Sequence, residues 1–170
     1  MYSASVIKKL KHQRGTDVSN YIMDLRKTVG HRTLMQCAAS IIIVDKDGRL
    51  LLGRRADNGL WGYSGGSIEI DEEVENAAKR ELFEETGLVA DSIEFFMINS
   101  GPKTHYVYPN GDEVSNVEII YICHDYHGTM MPQPEEISEL RFFNPSEIDI
   151  EMISPPTREV FRNYFDRFVK

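Results

Sequence analysis

Apolar and polar positions alternate along this chain with two different periods, and the changes between them mark the elements. Apolar residues at Val18, Tyr21, Ile22, Leu25 and Val29 recur at the spacing of an amphipathic helix, and Gly30 stands where such a helix stops. Residues 34–44 (LMQCAASIIIV) are apolar on both faces, which predicts a central strand in a covered sheet. A turn at 45–48 leads to 49–55 (RLLLGRR), read as the hairpin partner of that strand. Further strands are predicted at 93–98, 117–123 and 140–143, with a turn signalled by Pro109, Asn110 and Gly111 and a helical turn at 145–148. Pro155 and Pro156 open a terminal helix whose Val160, Phe161, Tyr164, Phe165 and Phe168 form a core-facing stripe.

The stretch 65–88 (GGSIEIDEEVENAAKRELFEETGL) departs from ordinary patterning. It predicts a glycine turn, a short connector and a helix over 72–86, with Asp71 as N-cap and Gly87 as the stop. At about 100° per residue Val74, Ala77 and Ala78 define the inward face, and Glu81, Glu84 and Glu85 fall on that face too. Glu73, Glu75 and Lys79 suit a solvated face. The inward trio does not, because close carboxylates repel by about 0.2–0.5 kcal/mol per exposed pair and by more when buried. A cation is expected among them. Clustered carboxylates without a nearby Cys or His select a hard divalent ion, Mg²⁺ or Mn²⁺, which keeps positions open for water and phosphate oxygens.

Gly66, Glu72, Arg80, Glu81, Leu82, Glu84, Glu85, Gly87 and Leu88 match the Nudix box, G-x5-E-x7-R-E-U-x-E-E-x-G-U, without departure. The chain therefore resembles the Nudix family, and Leu60, Trp61, Gly62 and Gly65 look like that family's lead-in, with Ser64 where relatives often carry Pro. The resemblance implies an α/β/α sandwich with a mixed β-sheet and a catalytic loop-helix over residues 34–170, preceded by an N-terminal extension and helix over 1–33. It implies a metal-dependent hydrolase that cleaves a nucleoside diphosphate linked to another moiety, by attack of water on phosphorus. On it, Glu81, Glu84, Glu85 and the carbonyl of Gly65 are the metal ligands, Arg80 orients the carboxylates and Glu72 supports them. A further carboxylate is expected from a loop beyond the sheet, and in PEEISELRFF that residue is Glu136, with Glu81 as the alternative base. Pro102 and Tyr106 signal ADP-ribose and dinucleoside polyphosphate hydrolysis at once, so the substrate stays open among nucleotide sugars, nucleoside triphosphates and dinucleoside polyphosphates. A nucleotide-holding sensor, an isomerase or an RNA-decapping enzyme on the same fold are the other readings.

Charge and composition bound these expectations. With 170 residues, 41% hydrophobic, the chain suits one domain, and a net charge of −8 disfavours a stable complex with a long nucleic acid while leaving small nucleotide substrates allowed. Cys37 and Cys123 lie in apolar runs and read as buried, reduced thiols. No apolar run reaches about 18 residues, so no membrane contact and a cytoplasmic location are expected. Lys8, Lys9, Lys11 and Arg14 make the first sixteen residues basic, read as a frayed extension; the stripe ending at Val29 is a candidate for homodimer contact.

Four other residues matter to the site. Arg54 and Arg55 reach the end of their strand before the box and are candidates for bidentate phosphate binding. Adjacent strand residues face opposite ways, so at most one of them is expected at the site. Trp61 reads as a packing anchor rather than a stacking platform. Glu118 interrupts the apolar strand VEIIYIC and reads as a solvent-facing edge position.

Overall fold

The structure, a computed structural model, describes residues 21–169. The basic segment, and Val18 at the start of the first apolar stripe, lie outside the described residues. The chain divides after Gly30 into two compact units. In the first, helix α1 (Tyr21–Val29) ends at Gly30, whose φ of 64° is left-handed and whose N–H bonds the Arg26 carbonyl at 2.8 Å.

The second unit is built on strand β1 (Leu34–Ile43). It pairs in parallel with β7 (Glu113–Gly128) and antiparallel with the short β4 (Ser64–Ser67), and β5 (Leu88–Asn99) and β6 (His105–Val107) add antiparallel to β7. This five-stranded mixed sheet runs β4-β1-β7-β5, with β6 on β7. A second sheet runs β3-β2-β8, from Trp61–Gly62, Leu50–Arg55 and Ile137–Phe143. The expected β1–β2 hairpin is thus corrected. A single bridge, Val44 to Leu50, links the two strands, after which β2 leaves for the other sheet and pairs with β8, over eighty residues away.

Alternation along β1 decides what lies on each side of the large sheet. Ala39, Ile41 and Ile43 pack with Tyr121, Cys123 and the small-residue face of helix α2 (Val74–Thr86), whose Ala77, Ala78 and Leu82 are fully buried. On the opposite face Ile42, Ile120 and Ile122 join Leu50, Leu52 and Phe143 beneath helix α3 (Arg158–Phe168), which contributes Val160, Phe161 and Tyr164. Helices therefore cover both faces of a mixed sheet, as the sequence led us to expect. Toward the start of β1 that second face turns from Ile42 to Ser40, Ala38 and Gln36, and in register on β7 it turns from Ile120 to Glu118 and Asn116. The apolar core here gives way to a polar cleft.

Several local expectations change. Helix α2 starts at Val74 rather than Glu72, because Asp71 is not a cap but a left-handed turn residue (φ 61°). That turn doubles the chain back, so that the Glu72 N–H meets the Glu69 carbonyl at 3.1 Å and the Glu72 carboxylate accepts the Glu69 N–H. Gly87 stops the helix as expected, with φ 73° and its N–H on the Phe83 carbonyl. Cys123 is buried, but Cys37 is exposed, since its side chain leaves β1 where helix α2 no longer covers the sheet. Trp61 packs edge-on against Phe143, ring centroids 4.8 Å apart.

Candidate active site

The site forms where β4 crosses β1 and faces helix α2. Gly65 pairs with Ser40 across the two strands, and a Cβ on Gly65 would stand 2.7 Å from the Ser40 Cα, so a side chain there would force the strands apart. The next residue, Gly66, is overlain by the Glu81 carboxylate. Both glycines are required by close approach rather than by left-handed backbone, since neither has positive φ.

Arg80 is the cation that sits among the carboxylates. Its Nε and Nη2 grip Glu72 at 2.8 and 2.9 Å, its Nη1 donates to Glu81 at 2.6 Å and Glu84 at 3.2 Å, and its Nη2 also reaches the Ser67 carbonyl at 3.0 Å. The Glu72 hydrogen bond and the Glu81 charge raise the Arg80 pKa against the opposing effect of burial, so the guanidinium is permanently charged. One side chain thereby ties the loop before the helix, the strand beside it and two helical carboxylates together.

Glu85 is placed differently. It is 8% exposed, accepts hydrogen bonds from the Gly65 N–H at 3.2 Å and from Ser64, and among the described residues receives none from an Arg or Lys. Burial first, then the negative charges of Glu81 and Glu136, push its carboxyl up to about 8. Burial likewise raises Glu81, with Arg80 opposing and Glu84 and Glu136 reinforcing. Glu84 is the outermost of the three, with a third of its side chain exposed. Ser64 gives Glu85 a side-chain hydrogen bond that a proline at this position could not make.

Glu136 comes from the turn before β8, is exposed, and lines a recess with Glu85, Arg55, Asp57 and Glu135. Arg55 points into the cleft, held by Asp57 at 2.9 and 2.7 Å, with its guanidinium 6.0 Å from the Tyr108 ring centroid. The Asp57 pair raises its pKa although burial acts the other way. Arg54 turns away and donates to the Gly59 carbonyl at 3.1 Å, so of the two arginines it is Arg55 that lines the cleft.

The cleft is open to solvent, and Gly65, Gly66, Glu85, Arg55, Asn116 and Glu118 are among the residues that line it. Glu118 overturns its reading as a solvent-facing edge residue. It lies in the middle of the sheet on β7, between β1 and β5, and accepts hydrogen bonds from Ser40 Oγ (2.6 Å), Tyr63 Oη (3.0 Å) and Asn99 Nδ2 (3.4 Å). Burial raises its pKa, and those three donors oppose the rise. The signal that would have found it is the register, which puts Glu118 beside Ala38 and Ser40 on the polar end of the inner face.

With this geometry in view, a family model described as NUDIX domain matches residues 35–164. The chain belongs to the Nudix hydrolase family. This Nudix chain is 30% identical to an ADP-ribose pyrophosphatase of Methanocaldococcus jannaschii, over 76% of this chain and 75% of that protein. It is 53% identical to a MutT-like protein of Streptomyces ambofaciens over 47 residues, 28% of this chain and 30% of that protein. The solved MutT Nudix hydrolase of Burkholderia pseudomallei superposes with a TM-score of 0.63 at 24% identity, covering 76% of this chain and 98% of that one, and shares its fold. Among the described residues no helix is long and apolar enough to cross a membrane.

Nudix hydrolases in general use divalent metal ions. Among the described residues no three acidic, His or Cys side chains stand ready-made as a ligand set, and Arg80 engages Glu81 and Glu84. The donors nevertheless fit a hard cation. They are all oxygens, and Glu85, raised by burial and then by its neighbours' charge and hydrogen-bonded to no Arg or Lys among the described residues, is short of positive charge.

Proposed function

We propose that this Nudix hydrolase cleaves the diphosphate linkage of a nucleoside diphosphate derivative, either a nucleotide sugar such as ADP-ribose or a nucleoside triphosphate, with Mg²⁺ or Mn²⁺. The observation that carries this reading is the buried Glu85 carboxylate, bonded among the described residues to backbone and hydroxyl, under the charge of Glu81 and Glu136 and lining a cleft together with Arg55. The printed activity of the Methanocaldococcus jannaschii relative, an ADP-ribose pyrophosphatase, supports the same class. The net charge of −8 favours a small nucleotide over a long nucleic acid.

Glu81, Glu84, Glu85 and the Gly65 carbonyl would hold the metal. Bound there, a divalent ion neutralises phosphate oxygens and makes a water molecule more acidic. The protein's own groups do the rest. Arg80 and Glu72 fix the Glu81 carboxylate before substrate arrives, so little reorganisation is left for the reaction. Arg55, already aligned by Asp57, offers a planar cation to the phosphate oxygens. Glu136, which lines the same recess as Glu85, accepts the proton of the attacking water. Incubating the protein with nucleoside diphosphate sugars, nucleoside triphosphates and dinucleoside polyphosphates in Mg²⁺ or Mn²⁺ tests the reading. Release of a nucleoside monophosphate from at least one class supports it, and no phosphate-bearing product from any class contradicts it.

A further inference from the structure

Glu118 carries a carboxylate that the hydrolytic chemistry does not use. On the same face of β7 the next positions toward the core are Ile120 and Ile122, so packing would be served by another apolar residue here. A carboxylate set among neutral donors costs stability that an apolar side chain would not. Its hydrogen bonds give the reason for it. Oε1 accepts from Ser40 Oγ at 2.6 Å, and Oε2 accepts from Tyr63 Oη at 3.0 Å and from Asn99 Nδ2 at 3.4 Å. These donors come from β1, from the residue between β3 and β4, and from the last residue of β5.

Two of the three donors bracket Gly65. Ser40 is its partner across the β1–β4 pair, and the Ser40 Oγ occupies the place that a Cβ on Gly65 would take, so this hydroxyl is the stop against which Gly65 rests. A serine side chain has three staggered positions, and the bond to Glu118 selects one of them. Tyr63 stands two residues before Gly65 on the same segment. Its ring packs on Phe161, centroids 5.6 Å apart, and its hydroxyl is tied to Glu118. The segment held in this way is the one that bonds Glu85, through the Ser64 side chain and the Gly65 N–H. Glu118 and Glu85 are thus connected through residues 63–65, with Glu118 fixing the segment and Glu85 receiving its hydrogen bonds.

We propose that Glu118 is a positioning residue, which through Ser40 and Tyr63 holds residues 63–65 where they orient the Glu85 carboxylate. This rests on the reading of Glu85 as a metal ligand in a nucleoside diphosphate hydrolase, and the test separates the two. Ser40→Ala and Tyr63→Phe each remove one link, Glu118→Ala removes both, and thermal melts establish that each variant is folded. Hydrogen exchange of the Gly65 amide in EDTA, relative to that of Ile42 in the core, needs neither metal nor substrate. It is expected to quicken about tenfold in Glu118→Ala and at least about threefold in the single-link variants. Mn²⁺ affinity without substrate and kcat should fall by similar factors, with KM within about twofold of wild type, because the segment orients a ligand and does not hold the nucleotide. Glu118→Gln keeps an acceptor for Tyr63 and Asn99 and can donate to the Ser40 hydroxyl, so it should return all these quantities to within about threefold of wild type. A loss in Glu118→Gln as large as in Glu118→Ala would show that charge rather than position matters, and would overturn the proposal. Unchanged Gly65 exchange or unchanged Mn²⁺ affinity in the folded variants would overturn it too. If Glu118→Ala does not fold, the two single-link variants decide. Faster Gly65 exchange and weaker Mn²⁺ binding in a protein that hydrolyses no nucleotide would uphold the positioning role and remove the enzymatic reading instead; if wild type binds no Mn²⁺, the metal reading falls and Gly65 exchange alone decides.

Discussion

The Glu81 carboxylate lies directly over Gly66, so that a Cβ built on that glycine stands 2.6 Å from the carboxyl carbon and 2.7 Å from each oxygen. Strand β4 and helix α2 approach this closely only because position 66 has no side chain. Gly66→Ala is expected to swing the flexible end of Glu81 aside, with kcat falling about a hundredfold, the scale of losing one positioned charge at a reacting centre. The melting temperature should change little. Gly65→Ala meets Ser40 backbone instead and is expected to fail as a fold, with a large drop in melting temperature or insoluble protein. Paired kinetics and thermal melts distinguish the two glycines.

Arg80 and Glu72 form a second linked pair. The Glu72 side chain is 6% exposed, and its removal leaves a half-buried guanidinium bound to the remaining carboxylates. Glu72→Ala is expected to cost about 3 kcal/mol of stability, the scale for breaking a buried ion pair. Arg80→Lys keeps the charge but not the fork that reaches Glu72, Glu81, Glu84 and the Ser67 carbonyl at once. Activity in that variant should fall by roughly tenfold or more. Urea unfolding of the two single variants and the double variant checks the coupling, and additive effects would show that the pair does not act as a unit.

Both pairs show what the sequence could and could not announce. Spacing alone put Glu81, Glu84 and Glu85 on one helical face, and helix α2 follows from one amphipathic face and a terminal glycine. The resemblance implied that Arg80 orients them, but spacing could not show how, because Arg80 reaches Glu72 by way of a left-handed Asp71 and a helix that starts two residues later than expected. Glu118 was misread for a similar reason. A lone acid in an apolar strand resembles an edge residue until the pairing of β7 with β1 brings Ser40 against it and other elements supply Tyr63 and Asn99. The β1–β2 hairpin failed because local turn chemistry says nothing of a distant partner, and β8 captures β2. Local periodicity fixes elements; long-range pairing decides which polar residues share a cleft.

Glu85 carries a pH signature in the metal-free protein. Its carboxyl rises from an ordinary 4.5 to about 8 on burial beside Glu81 and Glu136. The folded state therefore holds this proton more tightly than the unfolded state does, and stability is lost as pH rises from near 4.5 toward 8. In EDTA, wild-type protein is expected to lose melting temperature across that range more steeply than Glu85→Gln does. Parallel curves for the two proteins would contradict the assignment.

Glu136, exposed on the turn before β8, lines a recess with Glu85. Glu136→Gln is expected to lower kcat by about ten- to a hundredfold, the usual range for general-base catalysis, while sparing metal affinity more than Glu85→Gln does. Titration of Mn²⁺ into each variant, alongside steady-state kinetics, reads both quantities. An unchanged kcat would return the base role to Glu81.

The measurement that bears most directly on the whole account is hydrolysis of the best nucleoside diphosphate derivative in ¹⁸O-labelled water, with Mg²⁺ and with EDTA, for wild type and Glu85→Gln. The account predicts one ¹⁸O atom in a phosphate-bearing product of the wild-type reaction, loss of turnover in EDTA with recovery on excess Mg²⁺ or Mn²⁺, and a loss of about a hundredfold or more in Glu85→Gln. Full turnover in metal-free protein, or label appearing away from phosphorus, would contradict it.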